Sequence, residues 1–322
     1  MLPLSELTDA IDQITLPQIA GAGIPVALIG AVFLALGAQF QHKGVERMEQ
    51  LRGQQTGGIS IRSLLALLAR PAWVIGTVML GLAILFQLTS LTLSPILVVQ
   101  PVGALALVIT AILNARLSKT PLDRKSIRAI IMCVGGVAVF VTVAALFAQS
   151  PAITELQLTV VLILLGVVLV AFAVLFITLR KRIGAMFYIL GAGVLFGFVA
   201  TLAKVVIDRI KTLAFTDIVS GGEWLLVGCI AALLVAALLG SYFVQTAYAS
   251  GPPDLVVAGL TVIDPLVAVL IGILVLGEAG QVPFWAILVF VAAGAVAVWG
   301  VLQLARHHPQ LRVNDSLEKP LG

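Results

Sequence analysis

Charge is what this chain has least of. Asp, Glu, Lys and Arg make up 11% of its 322 residues, against about a quarter in an ordinary soluble domain. That scarcity excludes a solvated surface over most of the chain. Cysteine is nearly as scarce: Cys133 and Cys229 are the only two, each inside an apolar run, which rules out a disulfide framework and a zinc site with thiolate spacing. The first residues, "MLPLSELTDAIDQITLPQ", contain no Lys or Arg and so lack the basic n-region of a signal peptide. They are taken as a segment of the mature protein, residues 1–19. No Ser/His/Asp set or metal-ligating cluster gathers in the sequence, so an enzyme is not expected, nor is a cofactor. No soluble stretch is long enough for a nucleotide-binding domain, so neither direct ATP drive nor an ATP-binding subunit is expected.

What is present is apolar. Hydrophobic residues account for 61% of the chain and the mean hydropathy is +1.16, values that belong to an integral membrane protein. A helix needs roughly 20 mostly apolar residues to cross a hydrocarbon core, because lipid offers no partner to an unpaired backbone group. Nine segments meet that length, at 20–40, 71–91, 95–115, 127–148, 158–180, 185–208, 223–248, 254–277 and 283–305. Pro71, Pro95, Pro121, Pro151, Gly221-Gly222 and Pro252-Pro253 punctuate them. The stretch 59–70, "ISIRSLLALLAR", is too short to cross and reads as an interfacial helix.

The net charge of +4 is carried in short clusters between spans, a pattern of membrane orientation rather than nucleic-acid binding. With the N-terminus outside, nearly all Lys and Arg fall on the cytoplasmic side, leaving only Lys204, Arg209 and Lys211 outside. Residues 306–322 then form a cytoplasmic tail. A multi-pass protein of the cell membrane is expected, as a monomer or homodimer.

The chain also resembles itself. "AQFQHKGVER" from Ala38 lies over "ATLAKVVIDR" from Ala200, placing His42 on Lys204, and "GGVAVF" from Gly135 lies over "GAVAVW" from Gly294. Between these, Gln87 aligns with Gln245, and Gln100-Pro101 with Asp264-Pro265 once six residues are allowed for. Matching the first span to the sixth shifts the register by an odd number of spans, so the two copies run oppositely through the membrane. The expected fold is therefore an all-α membrane protein of nine helices in an inverted-topology repeat, four helices in 20–148 and five in 149–305.

Polar groups at depth are the candidate site. Asp264 lies ten residues beyond Asp254, roughly 15 Å into its span at ~1.5 Å per residue. Pro265 removes an N–H and disfavours helical geometry at Asp264. A carboxylate beside a freed carbonyl suits an ion or substrate site; a structural kink is the alternative. Gln100 with Pro101 offers either a substrate contact or a helix–helix hydrogen bond. Gln87, Gln245 and Tyr248, the last one turn beyond Gln245, either line the same cavity or glue helices together. Lys204 and His42 read as interfacial cations, with a gating or anion-attracting role as the alternative. Glu278, after its helix, reads as a solvated end. The glycine-rich runs "LGAGVLFGFV" and "VAAGAVAVWG" read as close-packing faces.

These repeats, "QTAYASGPPDLVV", and the Asp264-Pro265 step followed by "LIGILVLGE" resemble the drug/metabolite transporter superfamily in its EamA-like branch. "LSPILVVQPVGALALVITAIL" and the count of nine helices are similar to the NIPA-like magnesium transporter branch. The first half is one helix short of an EamA-like repeat, and Arg116 stands where that pattern often has an acidic residue. The resemblance implies a secondary transporter working by alternating access. A small organic solute, coupled to protons through Asp264, is the first expectation. A Mg²⁺ carrier with Asp264 as ligand is the second, and a non-transporting or lipid-handling membrane protein the third.

Overall fold

The computed structural model describes residues 21–52, 71–117, 122–179, 184–212, 224–250 and 253–306, with backbone alone at 42–52, 249, 253 and 254. The N-terminal segment 1–19, the interfacial helix expected at 59–70 and the tail beyond Arg306 lie outside the described residues. Ten helices follow in order: α1 (Gly23–Arg52), α2 (Pro71–Leu93), α3 (Ile96–Gly103), α4 (Leu105–Leu117), α5 (Arg124–Phe147), α6 (Glu155–Leu179), α7 (Ala185–Thr212), α8 (Trp224–Ser250), α9 (Pro253–Leu274) and α10 (Phe284–Arg306). Among the described residues there is no strand. Among the described residues nine helical stretches are long and apolar enough to cross a membrane; α3 and α4 together make the third, Ile96–Arg116. The protein is an all-α, multi-pass membrane protein.

The third span is two helices because of Pro101. Its ring nitrogen has no hydrogen to donate, and three residues on, the Ala104 amide takes the nearer Pro101 carbonyl at 3.2 Å. One tight turn therefore separates α3 from α4. The matching proline behaves differently. Helix α9 runs without interruption through Pro265, so Asp264 keeps helical geometry, against the expectation of a local break. The Thr261 hydroxyl, one turn earlier, donates to the Val257 carbonyl at 2.7 Å.

Small residues set the helix pairings. A Cβ on Gly76 of α2 would stand 2.8 Å from the Gly37 carbonyl of α1. A Cβ on Gly136 of α5 would stand 2.7 Å from the Ala293 carbonyl of α10, and one on Gly300 of α10 would stand 2.8 Å from the Ala129 carbonyl. On α7, Gly193 and Gly197 admit Ile263 and Val267 of α9. The glycine-rich runs thus carry close helix contacts, in a setting where lipid gives side chains no hydrophobic reason to associate. Helix α1 packs on α2 and on the third span; α7 packs in the same way on α8 and on α9. The third span meets α5 as α9 meets α10, and the contacts α3–α9 and α5–α10 join the halves.

Burial separates centre from rim. Ile96, Leu97, Val98 and Val99 of α3 are fully buried, as are Leu202 and Val205 of α7. Helix α6 leaves Leu156, Ile163, Val167, Val170 and Ile177 exposed. Such a surface is stable only against acyl chains, so α6 sits at the lipid boundary.

Candidate functional site

Two polar groups sit at depth on neighbouring helices. Gln100 of α3 is 5% exposed, and its Nε2 has no hydrogen-bond partner among the described residues. Asp264 of α9 is partly buried, with Oδ1 fully enclosed and also without a partner. An enclosed, unpaired polar atom is destabilising by about 1–3 kcal/mol, and natural structures carry few of them. The backbone of Asp264 is approached by the two α7 glycines. A Cβ on Gly197 would lie 3.0 Å from the Asp264 carbonyl, and one on Gly193 would lie 3.5 Å from its amide. Larger residues at either position would displace this part of α9. Pro101 and Pro265 are each partly buried beside these groups in sequence.

The other candidates are placed elsewhere. Gln87 is half-buried on α2, with its backbone near Gly30 of α1. Gln245 and Tyr248 lie on the exposed surface of α8, Tyr248 at 41%. The side chain of His42 is outside the described residues. Cys133 and Cys229 are buried and unbridged.

A second polar assembly closes one end of the bundle. The α9 chain reverses at Gly277, whose φ of +72° suits glycine, and the Glu278 amide donates back to the Gly272 carbonyl at 3.0 Å. The Glu278 side chain is thereby turned inward, 1% exposed. Its Oε1 accepts from the Ile96 amide and its Oε2 from the Leu97 amide, each at 2.8 Å. A carboxylate here satisfies two amides left open by the start of α3 and meets the positive end of the helix dipole. Burial pushes the Glu278 carboxyl up to about 7, opposed by the Leu97 and Ile96 amides and by Lys204, with Asp208 adding to the rise.

Lys204 is 2% exposed. Its Nζ donates to the Leu91 carbonyl at 2.8 Å and to that of Ser94 at 3.2 Å, and pairs with Asp208 Oδ2 at 3.0 Å. Lys211 joins Asp208 Oδ1 at 3.3 Å and the Thr92 carbonyl at 2.6 Å. The start of α1 is tied in as well, Gly23 N donating to Ser94 Oγ at 2.9 Å and Ser90 Oγ to the Gly23 carbonyl at 2.8 Å. Gln157 of α6 donates to the Val275 and Leu276 carbonyls at 3.2 Å. Lys204 is thus a buried structural cation, not an interfacial one, and Glu278 is a buried cap, not a solvated end. The four-residue spacing from Lys204 to Asp208 was the available sequence signal for the first; nothing local signalled the second.

No group of three or more His, Cys, Asp or Glu side chains that could hold a metal occurs among the described residues. A cation at Asp264 would therefore rest on one carboxylate, neutral oxygen donors and its own water. Mg²⁺, which dehydrates reluctantly and is often held through one or two carboxylates, tolerates such a donor set.

Nine apolar spans among the described residues, one of them carrying an enclosed carboxylate, make this a multi-pass membrane protein, and its family match places it in the transporter class. More particularly, the chain belongs to the NIPA magnesium transporter family, whose sequence model matches residues 18–295. It is 28% identical over 281 residues to an uncharacterized protein of Corynebacterium glutamicum, covering 87% of this chain and 93% of that one. No solved structure matches. Of the two branches the sequence resembles, the family match falls on the NIPA-like one and so fits the second expectation better than the first.

Proposed function

We propose that the protein is a secondary transporter of Mg²⁺ in the cell membrane, with Asp264 as the ion's carboxylate ligand and Gln100 as a neutral oxygen donor beside it. The observation that carries the reading is the enclosed, unpartnered Asp264 Oδ1 at the centre of a chain whose family match spans 18–295. A carboxylate with no protein partner is the arrangement a transient ligand requires: paired permanently, it could not exchange. Alternating access is supported by the recurrence of helix pairings in the two halves, α1 with α2 and the third span, α7 with α8 and α9. The proposed orientation places the N-terminus outside, so the Glu278 and Lys204 assembly closes the outer mouth while Lys125 and Arg128 face the cytoplasm.

The test is ion flux in proteoliposomes enclosing a Mg²⁺-sensitive dye, run beside a panel of amino acids and drugs with and without a pH gradient. Mg²⁺ uptake by the wild type and its loss in a folded Asp264→Asn variant are expected. Gradient-driven uptake of an organic solute without Mg²⁺ flux would overturn the reading in favour of proton-coupled solute transport.

A further inference from the structure

At the end of the bundle opposite Glu278, α5 begins and α10 ends, and between them lies a groove of about 390 Å³ lined by Lys125, Arg128, Ala129, Met132, Trp299 and Gln303. Its walls follow from helix periodicity. Lys125, Arg128, Ala129 and Met132 fall on one face of α5, and Trp299 and Gln303 are one turn apart on α10. Its floor is shut by close contact, since a Cβ on Gly300 would stand 2.8 Å from the Ala129 carbonyl. The groove therefore opens outward, towards the surroundings of the bundle.

Its chemistry changes with depth. Lys125 and Arg128 are exposed at the start of the Arg124–Phe147 span. Neither makes an ion pair with a described residue. The nearby acid in sequence, Asp123, is already engaged as the α5 N-cap, accepting from the Ser126 amide at 2.8 Å. Below the two cations the lining turns apolar, with Met132 half-buried and Trp299 54% exposed. Two unpaired cations at the level of the headgroups, above an apolar trough with a tryptophan wall, match a ligand with an anionic head and a hydrocarbon body.

We propose that this groove is a binding site for an anionic phospholipid, its phosphate held between Lys125 and Arg128 and its acyl chains lying over Met132 and Trp299. A soluble phosphate compound would use the cations but leave the apolar trough unfilled. The proposal is independent of the transported ion.

Trp299 provides the readout. Replacing Trp73, Trp224 and Trp285 by Phe leaves it as the sole tryptophan. This protein is reconstituted in phosphatidylcholine vesicles containing, at equal mole fraction, either dibrominated phosphatidylglycerol or dibrominated phosphatidylcholine. Bromine on the acyl chain quenches only a tryptophan it touches. Stronger quenching by the anionic lipid is expected, corresponding to roughly thirtyfold tighter association for two cations near the membrane surface. The preference should vanish in Lys125→Gln/Arg128→Gln and survive in Lys125→Arg/Arg128→Lys. Should the double glutamine variant fail to reconstitute, each single variant is expected to reduce the preference roughly fivefold. Equal quenching by the two lipids in the parent protein would overturn the proposal. So would a preference that persists without the charges. Equal quenching together with a Trp299 emission shift caused by glycerol phosphate in detergent would assign the groove to a soluble anion instead.

Discussion

Glu278 accepts a 2.8 Å hydrogen bond from the Ile96 amide, joining residues 182 positions apart at a buried point where the start of α3 would otherwise be unsatisfied. The same carboxylate takes Leu97 through its other oxygen. Glu278→Ala should therefore destabilise the fold by about 2–4 kcal/mol, as two buried amides lose their acceptor, while Glu278→Gln, which keeps one, should lose less. Thermal unfolding in detergent distinguishes the two.

The titration of Glu278 has a defined sign. Burial lifts its carboxyl from the ordinary value of 4.5 to about 7, so the folded protein holds this proton more tightly than the unfolded chain does. The contribution of this group to stability is then greatest below about 4.5 and falls as pH rises towards 7, levelling above it. Glu278→Gln, permanently neutral, should lack that slope. Melting temperatures of both proteins across this range give the comparison.

Asp264 should separate stability from function. Its enclosed Oδ1 has no partner, so Asp264→Asn removes a desolvated charge and is expected to leave the melting temperature unchanged or raised. Added Mg²⁺ should stabilise the wild type by about 2.7 kcal/mol at a hundred times its Kd and leave Asp264→Asn unmoved. A variant that melts early, with unaltered response to Mg²⁺, would make Asp264 a structural residue.

Lys204 and Asp208 form a couple inside the bundle. Lys204→Met strips the ammonium from Asp208 and from the Leu91 and Ser94 carbonyls and should be destabilising by about 3–5 kcal/mol. Lys204→Met/Asp208→Asn should recover part of that loss, because the stranded carboxylate is gone. Equal losses in the single and double variants would show the carbonyl contacts alone to matter.

Adjacent glycines give a packing test. A Cβ on Gly136 would lie 2.6 Å from the Ala297 amide, whereas one on Gly135 meets nothing within 4 Å. Gly136→Ala should force α5 and α10 apart and lower the melting temperature. Gly135→Ala should be neutral or stabilising by up to about 1 kcal/mol.

The spans were legible in the sequence because lipid imposes one simple demand, a length of unbroken apolar helix. The expected 71–91 and 283–305 became Pro71–Leu93 and Phe284–Ala305. Rotation about each helix axis was not legible. Helix α8 is apolar all round, so no periodicity marked which face met protein, and Gln245 and Tyr248 lie on the exposed one. Pro265 was read as a break from its own chemistry, yet α9 continues through it, packed on Gly193 and Gly197. Glu278 was read from its position after a span. Its true burial depends on a reversal at Gly277 and on amides far earlier in the chain, neither visible within a local window.

The Glu278 cap also has a consequence in time. Ile96 and Leu97 enter the bilayer long before Glu278 is synthesised, and at about 5–20 residues per second the ribosome needs roughly 10–40 s to deliver it. Until then the start of α3 depends on water for its two amides. The first half of the protein is therefore made without the group that caps the start of α3, and waits, hydrated at that end, for the last hairpin to arrive.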